Sequence, residues 1–428
     1  MTAGRFSFAS SLGALLCVIA ARLMTAAASE PPEKVNRSEG SGVESLPFDV
    51  KLDVVHRELS RNFCWFHPRV AAIPGAGRDG SPAVVMTLQK HLTASDHYSG
   101  MYFMRTDDLG KTWSGPTAVP ALDWRKESDD VTIAVCDITP GWHAPTGRLL
   151  AIGIKLRYGK NGEQLEDKPR SLECAYATYD PKNNRWTPWR MLDMPDTDKF
   201  FLVCPGCVQW LVKPDGRLLV PTYYRPAKGG PYSTTVLECE FDGTTMKYLR
   251  HGDEIALDNA RGVYEPSLCS FAGKYYLTLR NDNHGYVTTS DDGLHYRPAQ
   301  PWTFDDGSDL GSYNTQQHWL THSDGLYLAY TRRGAKNDHI VRHRAPLFLA
   351  RVDPETLRVV RSTEQLLIPQ RGVMLGNFGA AAITPGESWV TDAEFIFADK
   401  PHAKGADGST FAARVIWSRP NKLTQRTD

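Results

Sequence analysis

Several charged side chains stand at the ends of apolar, strand-like runs, where burial is expected. Arg280 closes the run KYYLTLR, Glu394 closes WVTDAE, and Arg69 opens RVAAI. Arg332 and Arg333 close LYLAYTRR in the same way. Burying an unpaired charge costs free energy, so charges that converge on one depression are typical of a binding or catalytic site. The alternative is that each arginine lies exposed at the rim of its sheet.

These runs belong to an internal repeat, in which a small turn precedes each apolar run. The turn glycines are separated by 67, 69, 57, 52 and 61 residues. Glycine permits the positive φ that hairpin turns require, and the runs are rich in leucine, aromatic and β-branched residues. The six turns are Asp79-Gly80, Thr146-Gly147, Asp215-Gly216, Ala272-Gly273, Asp324-Gly325 and Pro385-Gly386.

A second marker alternates with these turns. Residues 106–113 (TDDLGKTW) fit the Asp-box pattern S/T-x-D-x-G-x-T-W, and residues 289–296 (TSDDGLHY) repeat it with His295 and Tyr296 at the last two positions. Asp and Thr side chains satisfy backbone N–H groups in such a turn, so the boxes are structural. Together the markers predict an all-β fold, a six-bladed β-propeller of four-stranded antiparallel sheets. A β-sandwich is the alternative, but it does not predict six copies at this spacing.

The composition agrees with an all-β protein and gives no indication of a nucleic-acid partner. Lys+Arg and Asp+Glu both number 49, so the formal charge is zero and no basic tail exists. The 35 glycines and 28 prolines supply many turns, and the aromatic fraction of 10% favours strands.

The first 29 residues predict a secretory signal. Arg5 supplies the positive end, an apolar stretch follows, and residues 26–28 are three alanines suited to cleavage. An uncleaved membrane anchor is the alternative, although Arg22 makes the apolar run short for a span. We therefore expect a signal peptide at 1–29, a flexible leader at 30–46 and a propeller at 47–422. The protein would be secreted or periplasmic, with no stable membrane span after cleavage.

Seven cysteines remain beyond the signal, an odd number that leaves at least one free thiol. Cys204-Pro-Gly-Cys207 would suit a disulfide or half of a metal site. No second Cys or His pair at zinc spacing accompanies it, so we expect no metal, no cofactor and mostly buried thiols.

From about residue 60 to residue 417, the chain resembles the sialidase (neuraminidase) superfamily, whose Asp-box propellers bind a sugar carboxylate with three arginines. Guanidinium suits this role because its planar donors match a carboxylate bidentately. Arg69 in HPRVAAIP matches the first arginine. Arg280, one hairpin after Glu265 in YEPSLCSFAGKYYLTLR, matches the second. Arg344 in RHRAPLFLARVD matches the third, with Arg342 as a close competitor.

The resemblance also implies the catalytic groups. The family acid/base is an Asp in the loop before the first Asp box, and Asp96 in ASDHYSG occupies that loop. Glu265 would activate the nucleophile, and Glu394 matches a Glu that steadies Arg69. The polar residues in the stretch 314–318 would line the pocket or form a structural loop.

One departure from the family concerns its nucleophile, a Tyr that begins the last blade. Asn377 stands at that position, and an amide cannot act as this nucleophile. Tyr264 adjoins Glu265, but adjacent strand residues point to opposite faces. Tyr313 is the better replacement because its loop precedes the blade that carries Arg344. Otherwise a water beside Asn377, activated by Glu265, would attack directly and invert the anomeric centre.

Three functions stay open at this point. The first is an exported sialidase-like glycoside hydrolase that acts on a terminal carboxylate-bearing sugar of a glycan. The second is a uronic-acid glycosidase or polysaccharide lyase, which would need the arginines but not the Tyr. The third is a non-catalytic propeller that binds a glycan or a protein, because a fold does not fix a function.

Overall fold

The computed structural model describes residues 46–92, 96–165, 170–259, 261–399 and 405–424. The predicted signal at 1–29 and nearly all of the predicted leader lie outside these ranges. Leu46, the last residue of that leader, is buried among apolar side chains of the last two blades. None of the helices in the described ranges has the length and apolar character that crossing a membrane requires.

Six antiparallel sheets follow one another along the chain, one for each predicted repeat. The outermost strand of the last sheet comes first in sequence, as β1 (Phe48–Arg57). The first blade contains β2 (Phe63–Ile73), β3 (Ala83–Leu92), β4 (Tyr102–Thr106) and β5 (Ser114–Ala118). The second contains β6 (Arg125–Lys126), β7 (Thr132–His143), β8 (Arg148–Tyr158), β9 (Glu173–Asp180), β10 (Arg185–Trp186) and β11 (Arg190–Met191).

The third and fourth blades share one plan, a hairpin followed by outer strands. The third contains β12 (Leu202–Cys204), β13 (Leu211–Val212), β14 (Leu218–Arg225), β15 (Ser233–Phe241) and β16 (Met246–His251). The fourth contains β17 (Tyr264–Phe271), β18 (Lys274–Arg280), β19 (Tyr286–Ser290) and β20 (Gln300–Pro301).

The last two blades complete the ring. The fifth contains β21 (His318–His322), β22 (Gly325–Thr331), β23 (Leu347–Asp353), β24 (Arg358–Val359) and β25 (Gln365–Ile368). The sixth contains β26 (Gly379–Thr384), β27 (Glu387–Ala393), β28 (Ser409–Trp417) and β1, which pairs antiparallel with β28 and so closes the propeller. Six one-turn 3₁₀ helices lie in the described connections: Arg78–Gly80, Pro120–Leu122, Ala144–Thr146, Val341–His343, Arg361–Thr363 and Lys422–Thr424.

The predicted six-bladed propeller is therefore confirmed, with short extra strands in three blades. Each turn glycine lies between two successive strands of its blade, except Gly325, which is the first residue of β22. Gly80, Gly147, Gly216 and Gly273 have positive φ, whereas the glycines of the fifth and sixth turns do not. In the second Asp box, Ser290 and Asp292 make the turn contacts, one residue later than the pattern places them.

The core is divided among the blades. Six apolar clusters each join two neighbouring blades, so every interface around the ring is packed. Leu150 and Leu328, for example, are fully buried, and burying one leucine contributes about 1.5–3 kcal/mol. Inner strands of neighbouring blades also contact one another, as β2 does with β7 and β26 and β21 does with β17 and β26, so they surround a common axis. Side chains that these strands direct inward must meet there.

Candidate active site

Each blade contributes one polar residue to the axis, from within β2, β7 and β17, from the loop after β12, and from the loops that lead into β21 and β26. Five of the six have positive φ, of 55°, 57°, 61°, 43° and 49°, although none is glycine. In β2, β7 and β17 the residue lies at a register shift, which is a β-bulge. Such strained positions cluster at functional sites. We call the six residues the axial ring: His67, Asp137, Cys207, Glu265, Asn314 and Asn377.

Hydrogen bonds join one arc of the axial ring directly. His67 Nδ1 lies 3.0 Å from Asp137 Oδ1, and the Cys207 thiol donates to the same oxygen at 2.9 Å. Asn377 Nδ2 donates to His67 Nε2 at 3.0 Å and to Cys207 Sγ at 3.2 Å. These contacts cross blade boundaries, which fixes the four side chains relative to one another.

Two arginines join the other arc. Arg280 Nη1 donates to both carboxylate oxygens of Glu265 at 2.6 Å, and its Nη2 donates to Asn314 Oδ1 at 2.6 Å. Burial lowers the pKa of Arg280, but the Glu265 carboxylate more than offsets burial and holds that pKa above its ordinary value. Arg344 Nη2 donates to the backbone carbonyl of Asn314 at 3.3 Å, so both guanidinium groups meet at one residue.

Arg344 is a buried cation whose hydrogen-bond partners are neutral. Its Nη1 donates to Asn377 Oδ1 at 3.0 Å, and its Nε has no acceptor among the described residues. Within the part of the chain that the structure describes, it forms no ion pair. Burial, and then the neighbouring Arg280, lower its pKa to about 10. Because an uncompensated buried charge is costly, an anion bound here would be strongly favoured.

A cavity of about 440 Å³ opens over the axial ring. This is the size of a small-ligand pocket. Phe66, Tyr98 and Phe395 provide an apolar wall. Five arginines and three carboxylates line the remainder, so the lining carries an excess of positive charge: Arg170, Arg261, Arg280, Arg342, Arg344, Asp96, Asp137 and Glu265.

The structure brings five of the predicted site residues together in this cavity: Asp96, Glu265, Arg280, Arg344 and Asn377. Asp96 is exposed, and its Oδ1 accepts a hydrogen bond from the Tyr98 hydroxyl at 3.2 Å. It therefore stands at the mouth, whereas the other four lie deeper.

Three predicted residues take other positions. Arg69 lies behind the ring, where both its Nη atoms donate to Asp137 Oδ1 at 3.2 Å. Glu394 accepts hydrogen bonds from three backbone N–H groups of residues 407–409 and pairs with Arg371 at 3.2 Å, so its carboxylate holds that loop and not Arg69. The Tyr313 hydroxyl lies 2.7 Å from His343 Nδ1 and is not among the cavity residues.

Three members of the axial ring were missed by the sequence reasoning as site residues: His67, Asp137 and Cys207. A signal for them exists, because each ring residue precedes the turn glycine of its blade by 8 to 13 residues. A polar residue at that offset in six repeats would have drawn attention to the whole set. All seven described cysteines, Cys204 and Cys207 included, are buried free thiols.

Part of the ring also has the composition of a metal site. His67 Nδ1, Asp137 Oδ1 and Cys207 Sγ lie within 4.8 Å of one another. However, Asn377 Nδ2 donates to His67 Nε2, which leaves the imidazole proton on Nδ1, facing Asp137. Arg69 already places a positive charge on the same carboxylate oxygen. Hydrogen bonds therefore account for this cluster, and its donor set fits a cation poorly.

No known family model matches the sequence, and no curated protein matches it. A solved protein of unknown function from Dyadobacter fermentans matches with a TM-score of 0.60 at 14% identity, over 86% of this chain and 99% of its own. The Trypanosoma rangeli sialidase matches with a TM-score of 0.55 at 14% identity, over 85% of this chain and 59% of its own. The phage phi92 endosialidase matches with a TM-score of 0.54 at 12% identity, over 89% and 71%. This chain has the six-bladed β-propeller fold of the sialidases.

Proposed function

We propose that this protein is an exported glycoside hydrolase that releases a terminal, carboxylate-bearing sugar from a glycan. The observation that carries the proposal is Arg344, a buried cation without an ion-pair partner among the described residues, which lines a cavity beside Arg280. A sugar carboxylate would supply the missing anion. Fold neighbours named as sialidases support the reaction class, and the predicted signal at 1–29 supports export.

In this proposal the two arginines that meet at Asn314 bind the substrate carboxylate. Arg342 adds a further positive charge at the mouth, where its exposed side chain makes no hydrogen bond with the described residues. Asp96, exposed at the same mouth, protonates the glycosidic oxygen as the leaving group departs. One of the two ring carboxylates, Glu265 or Asp137, then acts on the opposite face of the sugar.

The geometry does not favour a Tyr nucleophile. Tyr98 and Tyr223 line the cavity, but neither hydroxyl is hydrogen-bonded to Glu265. Both carboxylate oxygens of Glu265 accept hydrogen bonds from Arg280 instead. Tyr264 donates to Asp282 instead, and more weakly to Asn314. A carboxylate-based mechanism, common among glycosidases, therefore suits this cavity better.

An activity screen tests the proposal. The purified protein would be incubated with sialosides and with oligosaccharides that end in a hexuronic acid, and products would be followed by NMR. We expect release of an acidic monosaccharide, abolished by Arg280→Gln and unaffected by Arg358→Ala, a change at the exposed residue of the outer strand β24. A product with a new carbon–carbon double bond would indicate a lyase. Binding without turnover would indicate a glycan-binding propeller.

A further inference from the structure

The two carboxylates of the axial ring differ in the oxygens that remain free. Asp137 and Glu265 each keep 14% of the side chain exposed, and both line the cavity. Both oxygens of Glu265 accept from Arg280. On Asp137, Arg69 and Cys207 donate to Oδ1, His67 Nδ1 lies 3.0 Å from the same oxygen, and no described residue donates to Oδ2. The free oxygen in the cavity is therefore Oδ2 of Asp137.

The same contacts keep Asp137 fixed and ionised. The residue occupies the bulge of β7 with φ 57°, so the backbone directs its side chain to the axis. Burial by itself would raise the pKa of this carboxyl, but His67 and Arg69 more than offset burial and hold it well below its ordinary value. A rigid carboxylate with one free oxygen has the properties that a glycosidase nucleophile requires.

Asp96 and Asp137 both line the cavity. Tyr98 lines the cavity with them; its hydroxyl donates to Asp96, and burial and then the charges of both carboxylates raise its pKa. Arg344 belongs to the fifth blade and Asp137 to the second, which are opposite each other in a ring of six. A sugar held by Arg344 would therefore extend across the axis toward Asp137.

We propose that Asp137 is the catalytic nucleophile and that the substrate sugar is a hexuronic acid. Asp137 Oδ2 forms a bond to the anomeric carbon as the glycosidic C–O bond breaks, and the Asp96 carboxyl gives its proton to the leaving oxygen. The resulting glycosyl ester is then attacked by water, which loses a proton to Asp96 and releases Asp137. The net reaction is hydrolysis with retention. This inference rests on the proposed function.

The charge of the nucleophile selects the sugar. In an ulosonic acid such as sialic acid, the carboxylate is attached to the anomeric carbon itself, so an attacking Asp137 would approach a like charge at about 3–4 Å. At an effective dielectric constant of about 20, that repulsion slows the reaction on the order of a thousandfold. In a hexuronic acid the carboxylate is attached to C5, beyond the ring oxygen. The arginines can hold it there while the anomeric carbon faces Asp137.

The first test uses the wild-type protein, so its result does not depend on whether a variant folds. We expect hexuronides to be hydrolysed at least 100-fold faster than sialosides, with retained configuration in the first-formed product seen by NMR. A 2-deoxy-2-fluoro hexuronosyl fluoride should label the peptide that contains Asp137, as seen by mass spectrometry. Inversion, preference for sialosides, or a label on Glu265 or on a Tyr would overturn the inference.

Variants provide the second test. Asp137→Gly should lose activity at least about a thousandfold and recover part of it with azide, which would give a glycosyl azide of inverted configuration. Asp193→Asn, an exposed carboxylate away from the cavity, is the matched control. If the wild-type protein hydrolyses hexuronides but a folded Asp137→Gly protein forms no glycosyl azide, the nucleophile role of Asp137 is contradicted and the proposed function is not. Failure to hydrolyse any acidic glycoside would sink the proposed function with it.

Discussion

Asn377 accepts a hydrogen bond at Oδ1 from Arg344 Nη1 at 3.0 Å, and both side chains are buried. The Asn377 amide is therefore a neutral acceptor that holds the Arg344 guanidinium in place without cancelling its charge. Arg344 makes its other protein contact to a backbone carbonyl, which is also neutral. The site keeps a desolvated positive charge available for a ligand, and several consequences can be measured.

Removing the charge of Arg344 should weaken ligand binding without destabilising the fold. Arg344→Gln is expected to weaken binding of glucuronate about 10- to 100-fold, since a charge-assisted hydrogen bond contributes about 1.5–3 kcal/mol. The melting temperature should stay the same or rise, because a buried uncompensated charge is lost. Calorimetric titration with glucuronate and with glucose gives the comparison, with Arg358→Ala as control. Equal weakening for both sugars would contradict the role in carboxylate binding.

Supplying an internal anion beside Arg344 should also weaken the binding of anionic sugars, and it should stabilise the fold. Asn377→Asp places a carboxylate beside Arg344, so we expect higher thermal stability and lower affinity for anionic sugars. Asn377→Ala removes the acceptor and the donor to His67, and should destabilise the fold by about 1–3 kcal/mol because buried polar groups lose partners. Urea unfolding of the two variants beside wild type checks the order. A less stable Asn377→Asp protein with unchanged affinity would show that Arg344 has another anionic partner.

The role of Asp96 can be read from leaving groups. If Asp96 protonates the glycosidic oxygen, Asp96→Asn should lower kcat/KM about 10²- to 10⁴-fold for an oligosaccharide, whose leaving alcohol needs a proton. For a 4-nitrophenyl glycoside the loss should be about tenfold or less, because nitrophenolate leaves without help. Asp193→Asn is again the control. Equal losses for the two substrates would assign Asp96 to binding and not to proton transfer.

The repeat was predictable from the sequence because local chemistry enforces it. Turn glycines such as Gly80 and the Asp-box contacts of Asp108 depend on residues within a few positions of one another. The blade count follows from those markers alone. Gly325 and Gly386 depart from the expectation of positive φ, so the backbone of these two turns does not require glycine.

The site was predictable only in part, because side-chain direction at a bulge depends on backbone conformation. Alternation along a strand places His67 and Arg69 on one face, yet the bulge between them sends His67 to the axis and Arg69 behind it. Glu394 was expected to hold Arg69, but Asp137, 68 residues from Arg69 in the chain, does so. Contacts between blades at such separations leave no local pattern.

Asp392 is a fully buried carboxyl in β27, and its Oδ2 has no hydrogen-bond partner in the part of the chain that the structure describes. Burial raises its pKa to about 7, although the Ala393 N–H and the charges of Arg344 and Arg69 oppose the shift. The folded protein therefore keeps this proton between about pH 4 and pH 7, where the unfolded chain has released it.

The sign of the effect on stability follows from proton binding. Because the folded state binds the extra proton, this carboxyl contributes most stability below about pH 4 and loses it as the pH rises to about 7, by up to about 1.4 kcal/mol per pH unit. Burial lowers the pKa of His318 to about 3, which gives the opposite slope, but that group is common to wild type and variant. The free energy of unfolding of wild type minus that of Asp392→Asn should therefore fall from pH 4 to pH 7. Urea unfolding at half-unit pH steps measures it, and a flat difference would mean that Asp392 is ionised throughout.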